Sequence, residues 1–260
     1  MSTDDTAERL MVDENTSNSP LFLRHKMAYI FSEQYAKNKV VLDDGCGSGY
    51  GSFHLISNGA QKVTGIDLSQ EAIEYANEKY KNKNLNFIQM DVTKLNFNDN
   101  TFDTLTSFQV IEHIKEVDKY LNEIKRVLRN GGVALITTPN KQTYSPNTIG
   151  PENPFHVKEY YLEELKNLLD IYFSKVQILG VNHSKKVDNL EDSAAYSFRK
   201  NVRIILQKIN MAFLFNLIPQ KIKTSILRKL NKNINISDFT VSQVDVKHTS
   251  DFMAVCIIEK

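Results

Sequence analysis

Residues 40–52, which read VVLDDGCGSGYGS, constrain the fold of this chain more than any other segment. They begin with two valines and a leucine, which predict a short buried strand, and an aspartate pair ends that strand. Four glycines follow within seven residues. Glycine lets the backbone turn sharply and lie against a ligand that any Cβ would keep away. The residues from Tyr50 onward predict a helix whose first backbone amides point at the turn. The segment therefore indicates a ligand-binding strand, turn and helix.

The spacing of the glycines indicates which ligand the turn accepts. A dinucleotide-binding turn requires G-x-G-x-x-G or G-x-G-x-x-A, whereas Ser52 occupies the last position of that pattern after Gly47 and Gly49. Asp43 stands just before the turn, where a carboxylate would repel a pyrophosphate and attract an ammonium or a sulfonium. Both features argue against a nicotinamide dinucleotide. The alternative is a turn without a ligand, although unused glycines cost about 0.5–1 kcal/mol each.

The pattern D-x-G-C-G-x-G after a strand resembles motif I of the class I S-adenosylmethionine (SAM) methyltransferases. In that family the acidic residue faces the methionine part of SAM, which is the role that the resemblance implies for Asp43. The resemblance also implies that four residues of the turn bind the cofactor: Gly45, Cys46, Gly47 and Gly49. It extends over residues 20–180 and the terminal strand, so SAM is the expected cofactor.

An acidic residue stands where a ribose would need it. Asp67 ends a predicted strand over residues 62–67 and lies twenty residues after Gly47. A carboxylate at this point of a doubly wound sheet accepts hydrogen bonds from ribose hydroxyls. As an alternative, Asp67 caps the following helix, but Ser69 fits that position better.

The residues expected to contact adenine come from the resemblance. It implies that Leu68 lies against the adenine ring, that Asp91 binds the exocyclic amine and that Val92 contacts the ring. Asp91 follows a predicted strand over residues 85–89. Taken by itself, an aspartate after a strand is only a turn former.

Strands and helices alternate along the first two thirds of the chain, which predicts an α/β fold with a parallel sheet. The predicted strands are 39–43, 62–67, 85–89, 102–108, 132–138 and 172–180, and the predicted helices are 21–35, 50–58, 70–80, 116–129 and 158–169. Gly131 and Gly132 are expected to end the helix over residues 116–129. The resemblance implies a doubly wound, mostly parallel sheet of seven strands, the Rossmann-like methyltransferase fold, completed by an antiparallel strand over residues 251–258.

Four segments are expected along the chain. Residues 1–20 form a mobile polar tail, residues 21–184 the SAM-binding core, residues 185–240 a basic helical insertion that caps the acceptor, and residues 241–260 the last part of the core sheet. About 70 residues separate the last two predicted strands, far more than an ordinary connection needs. Two cysteines and an N-terminus without an apolar stretch predict a cytoplasmic protein.

The charge of the chain is unevenly distributed. Residues 185–232 contain eleven Lys or Arg and three acidic residues, a net charge of +8, while the remainder has 21 basic and 28 acidic residues, a net charge of −7. One interpretation is a lid with a solvated basic face. The other is a surface that binds the phosphates of a lipid-linked or nucleotide-linked acceptor, or an anionic membrane at which the protein is peripheral. Nucleic acid ranks third, because evenly spaced aromatic residues are missing from the segment.

A base is expected after the fourth strand. Methyl transfer from SAM requires alignment of acceptor, methyl group and sulfur, and a hydroxyl acceptor must also lose its proton. His113 is the candidate base, with Glu112 beside it, because an imidazole with an ordinary pKa of about 6.5 is mostly neutral in the cytoplasm. The alternative is that Glu112 and His113 only begin the next helix.

The same segment bears on a metal and on the acceptor. Residues 108–113 resemble ubiquinone-biosynthesis O-methyltransferases and small-RNA 2′-O-methyltransferases, in which E-x-x-E-H contributes metal ligands. Here Gln109 stands in place of the first glutamate and is a weaker ligand for a hard cation, which argues against the metal of those families. Gln109 is expected among the cofactor-binding residues. Neither Mg²⁺ nor another metal is expected. His156 lies in N-P-F-H-V-x-E-Y, which resembles the acceptor loop of sugar-cluster and quinone-type methyltransferases, or else it only leads into a helix.

These features together predict a SAM-dependent O-methyltransferase. The expected acceptor is a small molecule, specifically a sugar, a glycan or a lipid-linked or phosphate-linked intermediate. One alternative is a quinone or small phenol, which would need no cationic cap. The other is a SAM-binding regulatory protein without turnover, which the loss of a glutamate at Gln109 supports.

Overall fold

The computed structural model describes residues 19–191 and 234–260. Its strands are β1 (Val40–Asp44), β2 (Lys62–Asp67), β3 (Leu85–Gln89), β4 (Phe102–Phe108), β5 (Leu128–Pro139), β6 (Lys175–His183), β7 (Phe239–Ser242) and β8 (Asp251–Ile257). Its α-helices are α1 (Pro20–Ala36), α2 (Tyr50–Ser57), α3 (Gln70–Lys79), α4 (Val117–Val127), α5 (Lys141–Tyr144), α6 (Leu162–Asp170) and α7 (Lys185–Glu191). Short 3₁₀ helices cover Ile111–His113, Ile236–Asp238 and Val246–His248.

The strands form one sheet with the order β3-β2-β1-β4-β5-β8-β6-β7. The first five strands of this order run parallel, and β8 lies antiparallel between β5 and β6. The predicted doubly wound α/β fold is therefore confirmed. One difference is that the described residues form eight strands instead of seven, because the short strand β7 extends the edge of the sheet beyond β6.

Helices cover both faces of this sheet. Successive residues of a strand point to opposite faces, and β1 shows the consequence. Val41 packs with apolar residues of α1 and α2, whereas Leu42 packs with residues of α4 and α6. Both side chains are fully buried, which matches the near-continuous apolar character of strands in a parallel sheet.

The two glycines after α4 do not end that helix, so the prediction for Gly131 and Gly132 was wrong. The helix ends at Val127, and Leu128 is already extended and paired with Phe102 of β4. The pairing then resumes at Val133, so that the glycines lie in an irregularity within β5. Leu128 is buried and pairs with β4, so the chain is already extended before Gly131 and Gly132. The helix predicted over residues 158–169 likewise begins later, at Leu162.

The described residues belong to two compact units. The larger unit contains residues 25–182 and 240–260, and the smaller contains residues 19–24, 183–191 and 234–239. The predicted tail, apart from its last two residues, and residues 192–233 of the predicted basic insertion lie outside the described residues. Across the described ranges, each helix is too short or too polar to cross a membrane.

Candidate active site

The candidate site lies where the order of the strands reverses. The chain passes from β1 outward to β2 and β3, and then returns to place β4 on the other side of β1. Ligands of open α/β sheets bind at the carboxyl ends of the strands at such a reversal. The glycine turn follows β1, Asp67 ends β2, Asp91 follows β3, and Gln109 follows β4. The predicted residues of the core motifs therefore meet at one edge of the sheet.

The glycine turn brings the loop after β4 against the loop after β1. Gly45 has φ +75°, and a Cβ there would lie 2.4 Å from Cγ2 of Val110, so the close approach of the two loops requires glycine. Gly47 has φ +52°, and no heavy atom lies within 4 Å of the position that its Cβ would take. Gly47 therefore borders open space at the carboxyl edge, where a ligand can lie against the backbone.

Asp67 joins the turn to the second strand. Its Oδ2 accepts a hydrogen bond from the backbone amide of Gly47 at 3.0 Å, and its Oδ1 accepts one from the amide of Ser69 at 2.8 Å. Ser69, not Asp67, caps α3, because its hydroxyl accepts from the amide of Ala72. Leu68 is 64% exposed beside it. A carboxylate and an apolar side chain thus stand next to each other at the edge of the site.

The adenine-side residues Asp91 and Val92 form a turn after β3. Oδ1 of Asp91 accepts hydrogen bonds from the backbone amide of Thr93 at 2.8 Å and from its hydroxyl at 2.7 Å. Val92 is buried beneath the turn. The turn-forming role of Asp91 and its predicted contact with adenine are compatible, since these hydrogen bonds involve Oδ1.

Asp43 is enclosed by hydroxyl groups. It is fully buried, and it accepts hydrogen bonds from Ser52 at 2.5 Å, Thr106 at 2.7 Å and Tyr29 at 3.2 Å. Burial raises the pKa of Asp43, although these three hydroxyls oppose the rise. Sequence reasoning missed this shell of donors. Asp43 thus anchors β1, β4, α1 and α2 to one another, and its predicted attraction for the methionine part of SAM would act through space.

Asp44 points to the opposite face of the sheet from Asp43. It is fully buried, and within the described part of the chain neither of its carboxylate oxygens meets a hydrogen-bond donor in good geometry. Burial, followed by the nearby carboxylates of Asp43 and Asp67, raises the pKa of Asp44 well above its usual range. The hydroxyl of Ser107 opposes this rise without cancelling it, and a buried carboxyl whose charge is so weakly compensated costs stability.

Cys46 contributes its backbone to the turn. Its side chain is buried against Ile73, Ala76 and Phe87, and burial raises the pKa of the thiol well above its usual value. The Cys46 thiol is therefore inert at neutral pH. Its backbone amide donates to the carbonyl of Ile66 at 2.8 Å, which holds the turn against β2.

Gln109 and the 3₁₀ turn after it present the candidate base. Gln109 has φ +58°, an unusual conformation for a residue other than glycine, and its side chain donates to the hydroxyl of Thr137 at 3.2 Å. Glu112 is fully buried and accepts from the hydroxyl of Thr138 at 3.0 Å. Nδ1 of His113 lies 3.0 Å from the carbonyl oxygen of Phe155. Since a carbonyl only accepts, Nδ1 carries the proton and neutral His113 has its lone pair on Nε2.

His156 lies against His113. The two rings are 4.9 Å apart and nearly perpendicular. Nδ1 of His156 lies 3.0 Å from Oε1 of Glu159, and Nε2 lies 3.0 Å from the side-chain nitrogen of Asn153. The predicted catalytic residues Glu112, His113 and His156 therefore come together, and the hydrogen-bond partners of His156 fix its orientation.

These three residues bring one possible ligand atom each to within 4.8 Å of one another, which is close enough for a divalent cation. The existing hydrogen bonds oppose that use. Nε2 of His156 accepts an N–H from Asn153, and its Nδ1 donates to Glu159. A metal ligand needs a lone pair directed at the ion. In this arrangement the residues do not fit the metal that related E-x-x-E-H segments imply.

The strand order, the glycine turn and the acid at the end of β2 define a Rossmann-like protein of the methyltransferase type. A sequence model of the family described as "Methyltransferase domain" matches residues 36–225. A protein of Mycobacterium tuberculosis named "Probable S-adenosylmethionine-dependent methyltransferase" is 33% identical over 187 residues, which is 72% of this chain and 67% of that protein. The chain belongs to the SAM-dependent methyltransferases, so it is an enzyme whose cofactor is SAM.

Two further comparisons agree with this membership. A mitochondrial ubiquinone biosynthesis O-methyltransferase of Dictyostelium discoideum is 31% identical over 152 residues, which cover 49% of this chain and 47% of that protein. Among solved structures, a SAM-dependent methyltransferase of Thermotoga maritima aligns with 92% of this chain and 93% of its own, with a TM-score of 0.57 and 14% identity. At that identity the likeness concerns the fold alone.

Proposed function

We propose that this methyltransferase transfers the methyl group to a hydroxyl oxygen and that His113 removes the hydroxyl proton. The observation that carries this proposal is the hydrogen bond from Nδ1 of His113 to the carbonyl of Phe155, at 3.0 Å. It places the lone pair of the neutral ring on Nε2. The turn that carries His113 begins next to Val110, which contacts the glycine turn.

Different residues bind the donor and remove the proton: Gly47 and Asp67 have the first role, and His113 has the second. When bound, SAM supplies a methyl group that is already activated by its positively charged sulfur. The turn at Gly47 and the carboxylate of Asp67 orient the donor, which contributes the larger share of the rate when reacting atoms must be aligned. Nε2 of His113 would take the proton of the acceptor hydroxyl, which would leave that oxygen able to receive the methyl group that bound SAM supplies.

The acceptor that we propose is a sugar, glycan or lipid-linked intermediate that carries phosphate. The support is the net charge of +8 over residues 185–232, since Lys and Arg bind phosphate oxygens in charge-assisted hydrogen bonds. The same charge would hold the enzyme at an anionic membrane surface if the intermediate is anchored in lipid. The O-methyltransferase named above supports an oxygen acceptor.

A quinone or small phenol is the second candidate, favoured by the similarity to the ubiquinone biosynthesis O-methyltransferase. The basic segment separates the two candidates. A phosphate-bearing acceptor should lose affinity when Lys and Arg of residues 221–232 are replaced by Gln, and binding should weaken as salt rises. A phenol should be methylated equally well by the wild-type enzyme and by the variant in which these Lys and Arg residues are replaced by Gln.

The test of the reaction is transfer of a radiolabelled methyl group from SAM to fractionated cell extract, followed by separation into lipid, glycan, RNA, protein and small-molecule pools. Alkali-stable label in the glycan or lipid pool supports the proposal. Label confined to protein, to RNA or to small phenols overturns the proposed acceptor, and so does the absence of label in every pool.

The test of the base is His113→Ala, with the exposed His248→Ala as the matched control. We expect the first variant to lose about 10²–10⁴-fold in kcat while its SAM dissociation constant changes less than about twofold. The control should retain both values. Full turnover by His113→Ala with unchanged SAM binding would remove His113 as the base.

A further inference from the structure

We propose that Glu159 is a positioning residue that holds His113 through His156 and Asn153, and that this hydrogen-bonded chain replaces a metal ion at the site. The role rests on His113 acting as the base, as proposed above. Of these four residues, His113 lies in the turn after β4, and the other three lie in the loop between β5 and α6.

The network begins at a buried ion pair. The side chains of Lys141 and Glu159 are 6% and 0% exposed, and Nζ of Lys141 lies 3.3 Å from Oε2 of Glu159. Lys141 also donates to Ser145 and Thr148 at 2.9 Å and to the carbonyl of Gly150 at 2.6 Å. Ser145 donates to the same carboxylate oxygen. A buried pair with this many hydrogen bonds fixes one conformation of the loop.

Glu159 then determines the protonation of His156. Its second oxygen, Oε1, lies 3.0 Å from Nδ1 of His156. A carboxylate accepts only, so Nδ1 carries the proton and Nε2 of the neutral ring becomes an acceptor. The side-chain nitrogen of Asn153 lies 3.0 Å from that Nε2. The pattern of donors and acceptors is therefore consistent from the carboxylate to the amide.

Asn153 connects His156 to the 3₁₀ turn that carries His113. Its amide oxygen accepts from the backbone amide of Phe155 at 3.1 Å, which fixes the orientation of the whole side chain. The carbonyl of Phe155 in turn accepts from Nδ1 of His113. The backbone amides of Val157 and Lys158 donate to the carbonyl of Glu112 at 2.7 and 3.1 Å. The loop thus holds both the ring and the backbone of the turn that carries the base.

The network occupies the nitrogen that a metal would need. In a metal site, Nε2 of His156 would direct its lone pair at the ion, but here it accepts from Asn153. Gln109, just before the turn, is uncharged and adds no carboxylate to the surroundings. A fixed hydrogen-bond chain therefore provides the orientation that a metal would provide by coordination.

Two variants test separate links of the network in the full-length enzyme. Glu159→Gln leaves one accepting oxygen for the three donors Lys141, Ser145 and His156, and Asn153→Ala removes the link between His156 and Phe155. We expect each to lower kcat by about 10–100-fold, because displacement of a base by about 1 Å costs that much. The SAM dissociation constant should stay within about twofold of the wild-type value.

The matched controls are Glu163→Gln and Asn98→Ala, both at exposed positions. Asn98 precedes the amino end of β4, whereas the site lies at the carboxyl ends of the strands. Both controls should keep wild-type kcat. If Glu159→Gln fails to fold, Asn153→Ala decides the matter, since it leaves the buried ion pair intact.

The pH profile separates positioning from catalysis. In Glu159→Gln and Asn153→Ala, kcat should still fall at acidic pH, because His113 is present, while the plateau is lower. In His113→Ala that acidic fall should disappear. If His113→Ala is inactive but both network variants retain wild-type kcat, the positioning role is overturned and the proposed function stands. If His113→Ala is fully active, the proposed function fails first.

A separate experiment tests whether the activity is independent of a divalent metal ion. Wild-type enzyme treated with a chelator and then dialysed should keep its activity, and added Mg²⁺, Zn²⁺ or Co²⁺ should not raise it. Titration calorimetry with Zn²⁺ should give the same heat for wild type and for a His113→Ala, His156→Ala double variant. Loss of activity on chelation that a divalent ion restores would overturn this part of the proposal.

Discussion

The carboxylate of Asp67 accepts a hydrogen bond from the backbone amide of Gly47, twenty positions earlier in the chain, at 3.0 Å. This contact fastens the glycine turn to the end of β2 and sets the turn and the acid at a fixed separation. The donor site is therefore partly ordered by its own residues, which lowers the entropic cost of binding.

Replacement of Asp67 by Asn should weaken SAM binding. The amide has one accepting oxygen, so it cannot accept from Gly47, Ser69 and the ribose hydroxyls together. We expect the dissociation constant to rise about 10–100-fold, which corresponds to about 1.4–2.8 kcal/mol. Titration calorimetry measures this, with the exposed Asp99→Asn as the control. An unchanged dissociation constant would exclude a role for Asp67 in donor binding.

Gly47→Ala should fold but bind SAM poorly. The added Cβ meets no protein atom within 4 Å, so its direct cost to stability is the left-handed backbone strain of about 1–2 kcal/mol. Gly131→Ala is a close control, because Gly131 also has positive φ and open space around the Cβ position. Both variants should lose similar thermal stability. Equal SAM affinity in the two would show that no ligand lies against Gly47.

Asp44→Asn should stabilise the protein at neutral pH. The folded pKa of Asp44 is raised, so the folded chain binds the proton more tightly and wild-type stability falls as pH rises above the unfolded value of about 3.9. The variant has no such loss. Its melting temperature at neutral pH should exceed that of wild type by roughly 2–4 °C per kcal/mol regained. This advantage should shrink toward zero below about pH 4, and an advantage independent of pH would refute the explanation.

Glu159→Gln should have the opposite pH dependence of stability. Burial would raise the pKa of Glu159, but hydrogen bonds from Ser145, His156 and Lys141 outweigh it and lower the pKa. A lowered folded pKa contributes stability above the unfolded value of about 4.3, and this contribution disappears as pH falls through the folded value. In urea unfolding the variant should lose about 1–3 kcal/mol at neutral pH. The deficit should narrow in acid, whereas a constant deficit would argue against an ionised Glu159.

The sequence predicted those features that depend on local spacing. Each of these features depends only on residues of a single strand–turn–helix unit. They are the glycine turn between β1 and α2, and Asp67 and the cap at Ser69 between β2 and α3. The shell around Asp43 could not be predicted in this way. Its donors Tyr29 and Thr106 lie 14 and 63 residues away, and only the packing of α1 and β4 against β1 brings them together.

The loop between β5 and α6 shows the same limit. The sequence singled out His156 from its surroundings, but Lys141 lies 18 residues before Glu159, and lysine is seldom buried. The spacing of His156 and Glu159 by three residues was the available signal, although it more often indicates a helix than a loop. The helix end at Val127 was mispredicted because a pairing across the sheet outweighed a glycine signal.

The position of β8 in the sheet has a consequence for folding during translation. This strand is made after β5 and β6 yet lies between them. On the ribosome, both strands therefore expose unsatisfied edges until residues 251–257 emerge, and such edges invite aggregation. The interval between the synthesis of β6 and the synthesis of β8 is therefore the one in which the unfinished sheet is most exposed to aggregation, and slow translation of the intervening segment would lengthen it.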